Sequence, residues 1–352
     1  MTPISVNLVF GLLAGIGLWA IPRAGARALV GVALVQVVAA LVVSWLGLRH
    51  WDWQVFGGMQ VFCWWLFIHL PLLLIALGAL WRQQPRRAAL AAGAFSLLVL
   101  VGVDAFFIEP RWLEQTHHTI SHPEVEERIR VVLLADIQTD DPGAWEARVL
   151  AAAQAAQPDL VLFAGDYLQT PAGAPTDRAR AVFRQQLADS GLQPRLGMVA
   201  VQGDVDPPSW PGLFEGSGVT ALTTSQTLEL GPLSLTALSI SDSRSSAPPI
   251  PERSGVHLVL GHSPDFALAA PPADLLLAGH VHGGQLQLPG LGPVLTLSRV
   301  PRSWAAGRTT LPSGAILIVS RGIGMERAHA PRFRFLCRPE LVIIDLMPIS
   351  SG

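Results

Sequence analysis

Five segments of the chain share one construction: a short run of β-type apolar residues that ends on a side chain able to bind a metal. They are VVLLADIQ, ending at Asp136 and Gln138; LVLFAGD, at Asp166; MVAVQGDVD, at Asp204 and Asp206; LVLGH, at His262; and LLLAGHVH, at His280 and His282. Runs like these mark strands buried on both faces, and in open sheets the chemistry gathers just past the carboxyl ends of such strands. Carboxylates and imidazoles far apart in sequence therefore converge in one crevice. A metal site is the first expectation, and with it a metal-dependent hydrolase.

Half of the 352 residues are hydrophobic and 14% are charged, which is too apolar for an ordinary soluble enzyme of this length. The excess lies before about residue 108, in stretches at roughly 5–21, 27–47, 58–80 and 88–107, each near the ~20 residues needed to cross a bilayer. These predict four transmembrane helices and a lipid bilayer as partner; a cleaved signal peptide is the alternative for the first stretch. Arg23 and Arg27 in the first loop and Arg82, Arg86 and Arg87 in the third outweigh Arg49 with Asp52 in the second. The positive-inside rule then puts both termini outside. In a Gram-negative cell this is a multi-pass inner-membrane protein whose remaining chain is periplasmic.

The expected organisation is residues 1–107 in the membrane, 108–130 as a polar connection carrying a first strand near 115–121, and 131–352 as a folded domain. In the connection, His117, His118 and His122 fit alternating exposure along a leading strand. Helical periodicity at 143–157 joins two apolar strands in a βαβ unit, and a second helix is expected at about 176–190. Short strands and turns follow, so two mixed sheets packed face to face are expected, with helices mainly in the first half. Cys63 and Cys337 are poorly placed to pair, so there is no disulfide framework. No lysine is present, which excludes a Schiff-base or phosphate-loop lysine. A net charge of −2 without a basic run argues against nucleic acid.

In chain order the strand ends read Asp136-Ile137-Gln138, Gly165-Asp166, Gly203-Asp204-Val205-Asp206, Gly261-His262 and Gly279-His280-Val281-His282. This succession resembles the calcineurin-like metallophosphoesterase superfamily, whose blocks are Asp-X-His, Gly-Asp, Gly-Asn-His-Asp or Glu, Gly-His and Gly-His-X-His. The resemblance covers about residues 115–347. GHVHGGQLQLPGLGP and SRGIG, followed by RFRFLCRPELVIIDL, are similar to a membrane-associated bacterial branch that includes proteins likened to UDP-2,3-diacylglucosamine pyrophosphatases.

The resemblance implies an α+β domain built as a four-layer α-β-β-α sandwich holding two divalent cations of the Mn, Fe, Zn or Co type. On the matching positions Asp136, Gln138, Asp166 and His282 would hold one ion, and Asp166, Asp204, His262 and His280 the other, with Asp166 shared. Such a pair neutralises a phosphate and lowers the pKa of a water for in-line attack, so a metal-bound hydroxide would be the nucleophile.

Three positions depart from the family pattern. Gln138 replaces a histidine, and an amide oxygen is a weaker donor than imidazole. Asp204 replaces an asparagine and adds a negative charge. Val205 replaces the histidine that assists the leaving group or the phosphate, and valine has no proton to give. Tyr167 and Asp206 are the remaining catalytic candidates, Tyr167 as a substitute donor and Asp206 as a group ordering backbone or water. Two functions remain open: a membrane-anchored hydrolase of a phosphodiester or pyrophosphate, with lipid-linked and nucleotide-linked envelope precursors as candidate substrates, or a degenerate relative serving as sensor or scaffold.

Overall fold

A computed structural model describes residues 7–8, 11, 31, 34–46, 54–170 and 176–349. The chain separates into two compact units, Met1–Ile108 with Glu326–Arg332, and Glu109–Met325 with Phe333–Gly352.

In the first unit, two helices are long and apolar enough to cross a membrane, Phe56–Leu80 and Pro85–Arg111, of 25 and 27 residues. Each contains one π-helical turn, Trp65–His69 and Asp104–Ile108, and Phe67 of one meets Phe106 of the other edge to face at 5.3 Å. Leu90, Leu97, Leu100 and Phe107 stay 62–74% exposed. The buried core helix of a soluble protein would cover side chains of this size. The predicted four-helix region is corrected to two spanning-length helices among the described residues. The first predicted span lies almost wholly outside the described residues, and the second is described only as the shorter helix Leu34–Leu46.

Among its described residues the second unit contains fourteen strands: β1 (Glu114–His122), β2 (Ile129–Leu134), β3 (Leu160–Phe163), β4 (Met198–Val201), β5 (Val219–Leu222), β6 (Gln226–Leu230) and β7 (Leu233–Ala237), then β8 (Val256–Leu260), β9 (Leu275–Ala278), β10 (Gln287–Leu288), β11 (Gly292–Pro293), β12 (Gly307–Thr310), β13 (Ile316–Val319) and β14 (Glu340–Pro348). They form two six-stranded mixed sheets, in the orders β1-β14-β2-β3-β4-β5 and β12-β13-β9-β8-β7-β6, and β10 with β11 makes a small hairpin. The inner strands β2, β3 and β4 run parallel, as do β7, β8, β9 and β13. Their carboxyl ends carry every strand-end ligand candidate. β1 alternates in exposure along its length, as expected for an edge strand, and its histidines belong to no potential metal group among the described residues.

The sheets meet through Val131, Leu133, Leu162 and Val199 on one side and Leu235, Leu258, Leu260 and Leu277 on the other, all essentially inaccessible to water. The opposite face of the first sheet, Val132, Leu134, Val161 and Phe163, packs against Val149 and Leu150 of helix Ala144–Ala155 and Phe183 and Leu187 of helix Thr176–Asp189. The Glu146 carboxylate reaches back to the Gly143 N–H at 2.7 Å and so starts the first of these helices. Here the four-layer expectation needs correction. Among the described residues the outer face of the second sheet, Val259, Leu276 and Leu317, is covered by Phe266 of the 3₁₀ segment Pro264–Ala269 and by Trp304 of Arg302–Trp304. The Pro-rich sequence there turns too often to sustain a long helix.

The register of β14 on β2 sets Asp345 opposite Arg130. The guanidinium donates to both carboxylate oxygens, at 2.8 and 2.9 Å, with both side chains about one-fifth exposed. The bond from Arg130 holds the Asp345 carboxyl below its usual range. A depressed folded pKa stabilises fully above the unfolded pKa of ~3.9 and is lost as pH falls through the folded value. Asp345→Asn is therefore expected to lower stability by about 1–3 kcal/mol at neutral pH, with the difference from wild type shrinking at acid pH below ~3.9. Urea denaturation at both pH values measures it, and equal midpoints at neutral pH would mean the pair contributes nothing.

Candidate metal centre

At the carboxyl ends of the parallel strands, main-chain bonds tie neighbouring strand ends within each sheet, and a side chain then joins the two sheets. The Asp136 N–H donates to the Gly165 carbonyl at 3.0 Å, Gln138 N–H to Asp166 O at 2.8 Å, and Gly279 N–H to His262 O at 2.9 Å. The Asp136 carboxylate accepts the His280 N–H with both oxygens, at 2.9 and 3.0 Å, linking the first sheet to the second.

This convergence needs unusual backbone. Asp136, Gln138, Asp166, His280 and His282 all have positive φ, between 38° and 69°. Left-handed backbone costs about 1–2 kcal/mol for a residue with a side chain, and its concentration here marks a functional site. Close approach also demands glycine. A Cβ on Gly165 would lie 2.8 Å from His262 Nδ1, one on Gly279 2.7 Å from Asp136 Oδ2, and one on Gly203 would collide with the Asp166 backbone nitrogen and carboxylate.

Six of the seven predicted ligands fall into two groups whose ligand atoms all lie within 4.8 Å of one another: Asp136, Asp166 and His282, fully buried, and Asp204, His262 and His280, which open toward solvent at Asp204. His262 Nε2 stands 3.4 Å from Asp166 Oδ2 and 3.9 Å from Asp204 Oδ2, connecting the groups. His280 Nδ1 is 3.0 Å from Asp204 Oδ2, and His282 Nε2 is 4.0 Å from Asp136 Oδ1. The seventh, Gln138, is buried at the same strand end, and its Nε2 donates to Gln169 Oε1 at 3.1 Å.

The ring orientations suit metal ligation. A carbonyl only accepts, so His262 Nδ1, 2.7 Å from Ala164 O, is a donating nitrogen, and Nε2 is the ring nitrogen turned to the carboxylates, free to ligate once it gives up its proton. His262 Nε2 and both ring nitrogens of His282 are buried without a hydrogen bond among the described residues. Burial pushes His282 far below its ordinary pKa and nearby Arg334 adds to this, so its imidazole is neutral. Burial would lower His262 too, but the Asp166 carboxylate beside it, with Asp136 and Asp204, raises it to about 10. Burial lifts Asp136 to about 7 against the pull of His262. On Asp166 burial also pushes upward, yet the His262 imidazole beside it and the Val205 N–H prevail and bring it down to about 2. Buried carboxylates that retain a proton on an imidazole form a cavity for positive charge. Mixed oxygen and imidazole donors fit Mn, Fe, Zn or Co better than Ca or Mg.

The two catalytic candidates turn out differently. Asp206 does not face the groups; its carboxylate accepts from the N–H of Asp166, Tyr167 and Gly203 at 2.8, 2.9 and 2.8 Å, fixing the turn that presents Asp166. Tyr167 is corrected as a proton donor. Its hydroxyl donates to the Val201 carbonyl at 2.6 Å, and its ring is 1% exposed, stacked on Trp210 and edge-on to Phe214. Burial pushes that hydroxyl well above its ordinary pKa.

The structure adds residues that the strand-end pattern passed over. Gly322 and Gly324 follow β13 and press against Asp136, where a Cβ on Gly322 would stand 2.8 Å from the Asp136 Cβ. Their carbonyls, with those of Arg321 and Cys337, accept from the fully buried guanidinium of Arg334. The SRGIG stretch carried the signal for the glycines. Nothing local marked Arg334, because its carbonyl partners are main-chain groups brought in by folding.

No family model matches the chain. It is 28% identical over 279 residues to the uncharacterized metallophosphoesterase YkuE of Bacillus subtilis (strain 168), covering 73% of this chain and 93% of that protein. It is 25% identical over 286 residues to the phosphodiesterase YaeI of Escherichia coli (strain K12), covering 74% of this chain and 99% of that one. Among solved structures, the E. coli phosphoesterase YfcE aligns over 58% of this chain and 85% of its own at 15% identity, with a TM-score of 0.31, too low to carry an argument. The two sequence relatives support the metallophosphoesterase family and, in general terms, a phosphoester hydrolase.

Asp206→Ala would leave three buried N–H groups without their acceptor. Each such orphan costs about 1–3 kcal/mol, so a loss of about 3 kcal/mol or more is expected in chemical denaturation. Wild-type stability in this variant would mean that water replaces the carboxylate.

Proposed function

We propose that the protein is a membrane-anchored phosphoesterase that cleaves a phosphodiester or pyrophosphate bond in an envelope lipid or lipid-linked precursor. Two divalent cations would be held by Asp136, Gln138, Asp166 and His282 and by Asp166, Asp204, His262 and His280. The observation that carries this reading is the pair of adjoining ligand groups, closed at one end and open to solvent at Asp204. The anchor would be the apolar helices, in a multi-pass inner-membrane arrangement with the phosphoesterase domain outside the cytoplasm.

When bound, such cations supply the charge that neutralises a phosphoryl group and the lowered pKa of water needed for in-line attack. The chain's own part is to hold the geometry. Asp166 sits between the groups, fixed by the Val205 N–H at 2.9 Å on its Oδ1 and by the Asp206 turn behind it. The His262 ring, oriented by Ala164, gives up its proton when a cation takes that charge's place. Val205 offers the leaving group no proton, and loss of a general acid typically costs ~10²–10⁴ in rate. A diester or pyrophosphate with a stable leaving anion tolerates that loss far better than an alkyl monoester.

A lipid-linked substrate has support beside the site. Leu288, Leu291, Val294 and Leu297 are 37–56% exposed along the segment containing the β10–β11 hairpin, and the Leu297 carbonyl accepts from His280 Nε2 at 3.3 Å. Four large apolar side chains in ten residues form an unusual rim for a site that handles phosphate. The degenerate sensor or scaffold remains the second reading because Gln138 and Val205 weaken the two blocks that bind and assist.

Metal stoichiometry of the detergent-purified protein, measured with hydrolysis of bis-p-nitrophenyl phosphate before and after adding Mn²⁺, tests the function. Two ions per chain are expected, with turnover that is lost in Asp166→Ala. One ion or none, with no turnover above that variant, would favour the sensor. For the rim, kcat/KM on a diacyl pyrophosphate is expected to fall as the acyl chains are shortened, and equal values for long and short chains would remove the lipid from the proposal.

A further inference from the structure

We propose that Arg244 binds the phosphate of the substrate, filling with a permanent cation the role left vacant at Val205; the inference rests on the phosphoesterase reading above. Arg244 caps the short helix Ile240–Ser243 within the Ser/Pro-rich loop. Its guanidinium Nη2 pairs with Asp204 Oδ2, at the one ligand of the two groups that is exposed. The side chain is half exposed, so it lies across the entrance rather than behind the site, unlike the buried Arg334.

The backbone beneath it is fixed. The Arg244 carbonyl accepts from Arg299 Nη2. Arg299 is itself held on the buried Asp265, through its N–H at 2.9 Å and its Nε at 3.1 Å. Ser239 caps the helix by accepting the Asp242 N–H, and the buried Ser243 accepts the Ser263 N–H at 3.4 Å. A long side chain on a rigid base, aimed at the open end of the site, is suited to gripping a ligand without reorganising the loop.

Charge decides what the guanidinium does. The Asp204 oxygen that it holds is also 3.0 Å from His280 Nδ1 and 3.9 Å from His262 Nε2, where a cation would compete for it. A divalent ion on Asp204 would face the guanidinium with like charge. The arrangement becomes favourable once an anion lies between them, and a phosphoryl group offers paired oxygens matching the guanidinium fork. Arginine does not deprotonate in a protein, so Arg244 binds and orients the phosphate without supplying the leaving-group proton. This fits a substrate whose leaving group departs as an anion.

The competing role is that Arg244 merely neutralises Asp204. Full-length protein in detergent, as wild type, Arg244→Gln and Arg244→Lys, separates the two by titration with Mn²⁺ alone and by inhibition of bis-p-nitrophenyl phosphate hydrolysis with inorganic phosphate. Arg244→Gln is expected to bind Mn²⁺ as tightly as wild type or more so, while the phosphate inhibition constant and KM rise about 10- to 100-fold and kcat changes less. Arg244→Lys should fall between, keeping the charge but losing the fork. Tighter Mn²⁺ with unchanged phosphate inhibition and KM would overturn the inference and leave the hydrolase standing. A wild type that binds neither Mn²⁺ nor phosphate would overturn both.

Discussion

The Asp136 carboxylate, accepting the His280 N–H with both oxygens, is the contact on which the centre depends. It joins a strand end of one sheet to a strand end of the other, in a position without solvent. Gly279, Gly322 and Gly324 are glycines because Asp136 and its neighbour Ile137 occupy the space where their side chains would be. Arg334 then fixes the loop carrying two of those glycines through main-chain carbonyls, so a group far from the open end still controls where the carboxylate stands.

Burial of this carboxylate beside Asp166 creates the electrostatic condition of the site. Two such groups held within one ligand cluster or its neighbour cannot both remain ionised in an apolar interior without a compensating cation. A proton on His262 answers part of that demand, so this fully buried imidazole is raised by its carboxylates, while His282 is lowered by burial and by the charge of Arg334. The left-handed backbone at five of the ligand positions is sustained by the same packing, with Asp206 as its support on one side and Arg334 on the other.

Much of the centre was legible because a strand buried on both faces must be apolar until it emerges, so polar residues immediately beyond it stand out. Asp136, Asp166, Asp204, His262, His280 and His282 were found in this way. The helices at 144–155 and 176–189 followed from periodicity. Other features had no local signature. Tyr167 looked available beside Asp166, but its direction depends on an aromatic cluster assembled from Trp210 and Phe214. Asp206 looked like a chemical group until three N–H donors were seen to surround it. The fourth layer was expected as helix from resemblance, and the turns near Pro264 and Pro301 replaced it with 3₁₀ segments.

The sequence by itself determined the order of the strands that carry chemistry, the side chains at their ends, the apolar character of the N-terminal part and the presence at Val205 of a side chain with no proton to give. These are properties of short windows, where periodicity and residue type act directly. Only the tertiary structure decided which nitrogen of His262 faces the carboxylates, which charges share a cavity, that Arg334 lies behind the site and that Arg244 lies across its mouth. Such relations are set by contacts between segments up to 144 residues apart, and pKa and accessibility depend on those distances rather than on sequence neighbours.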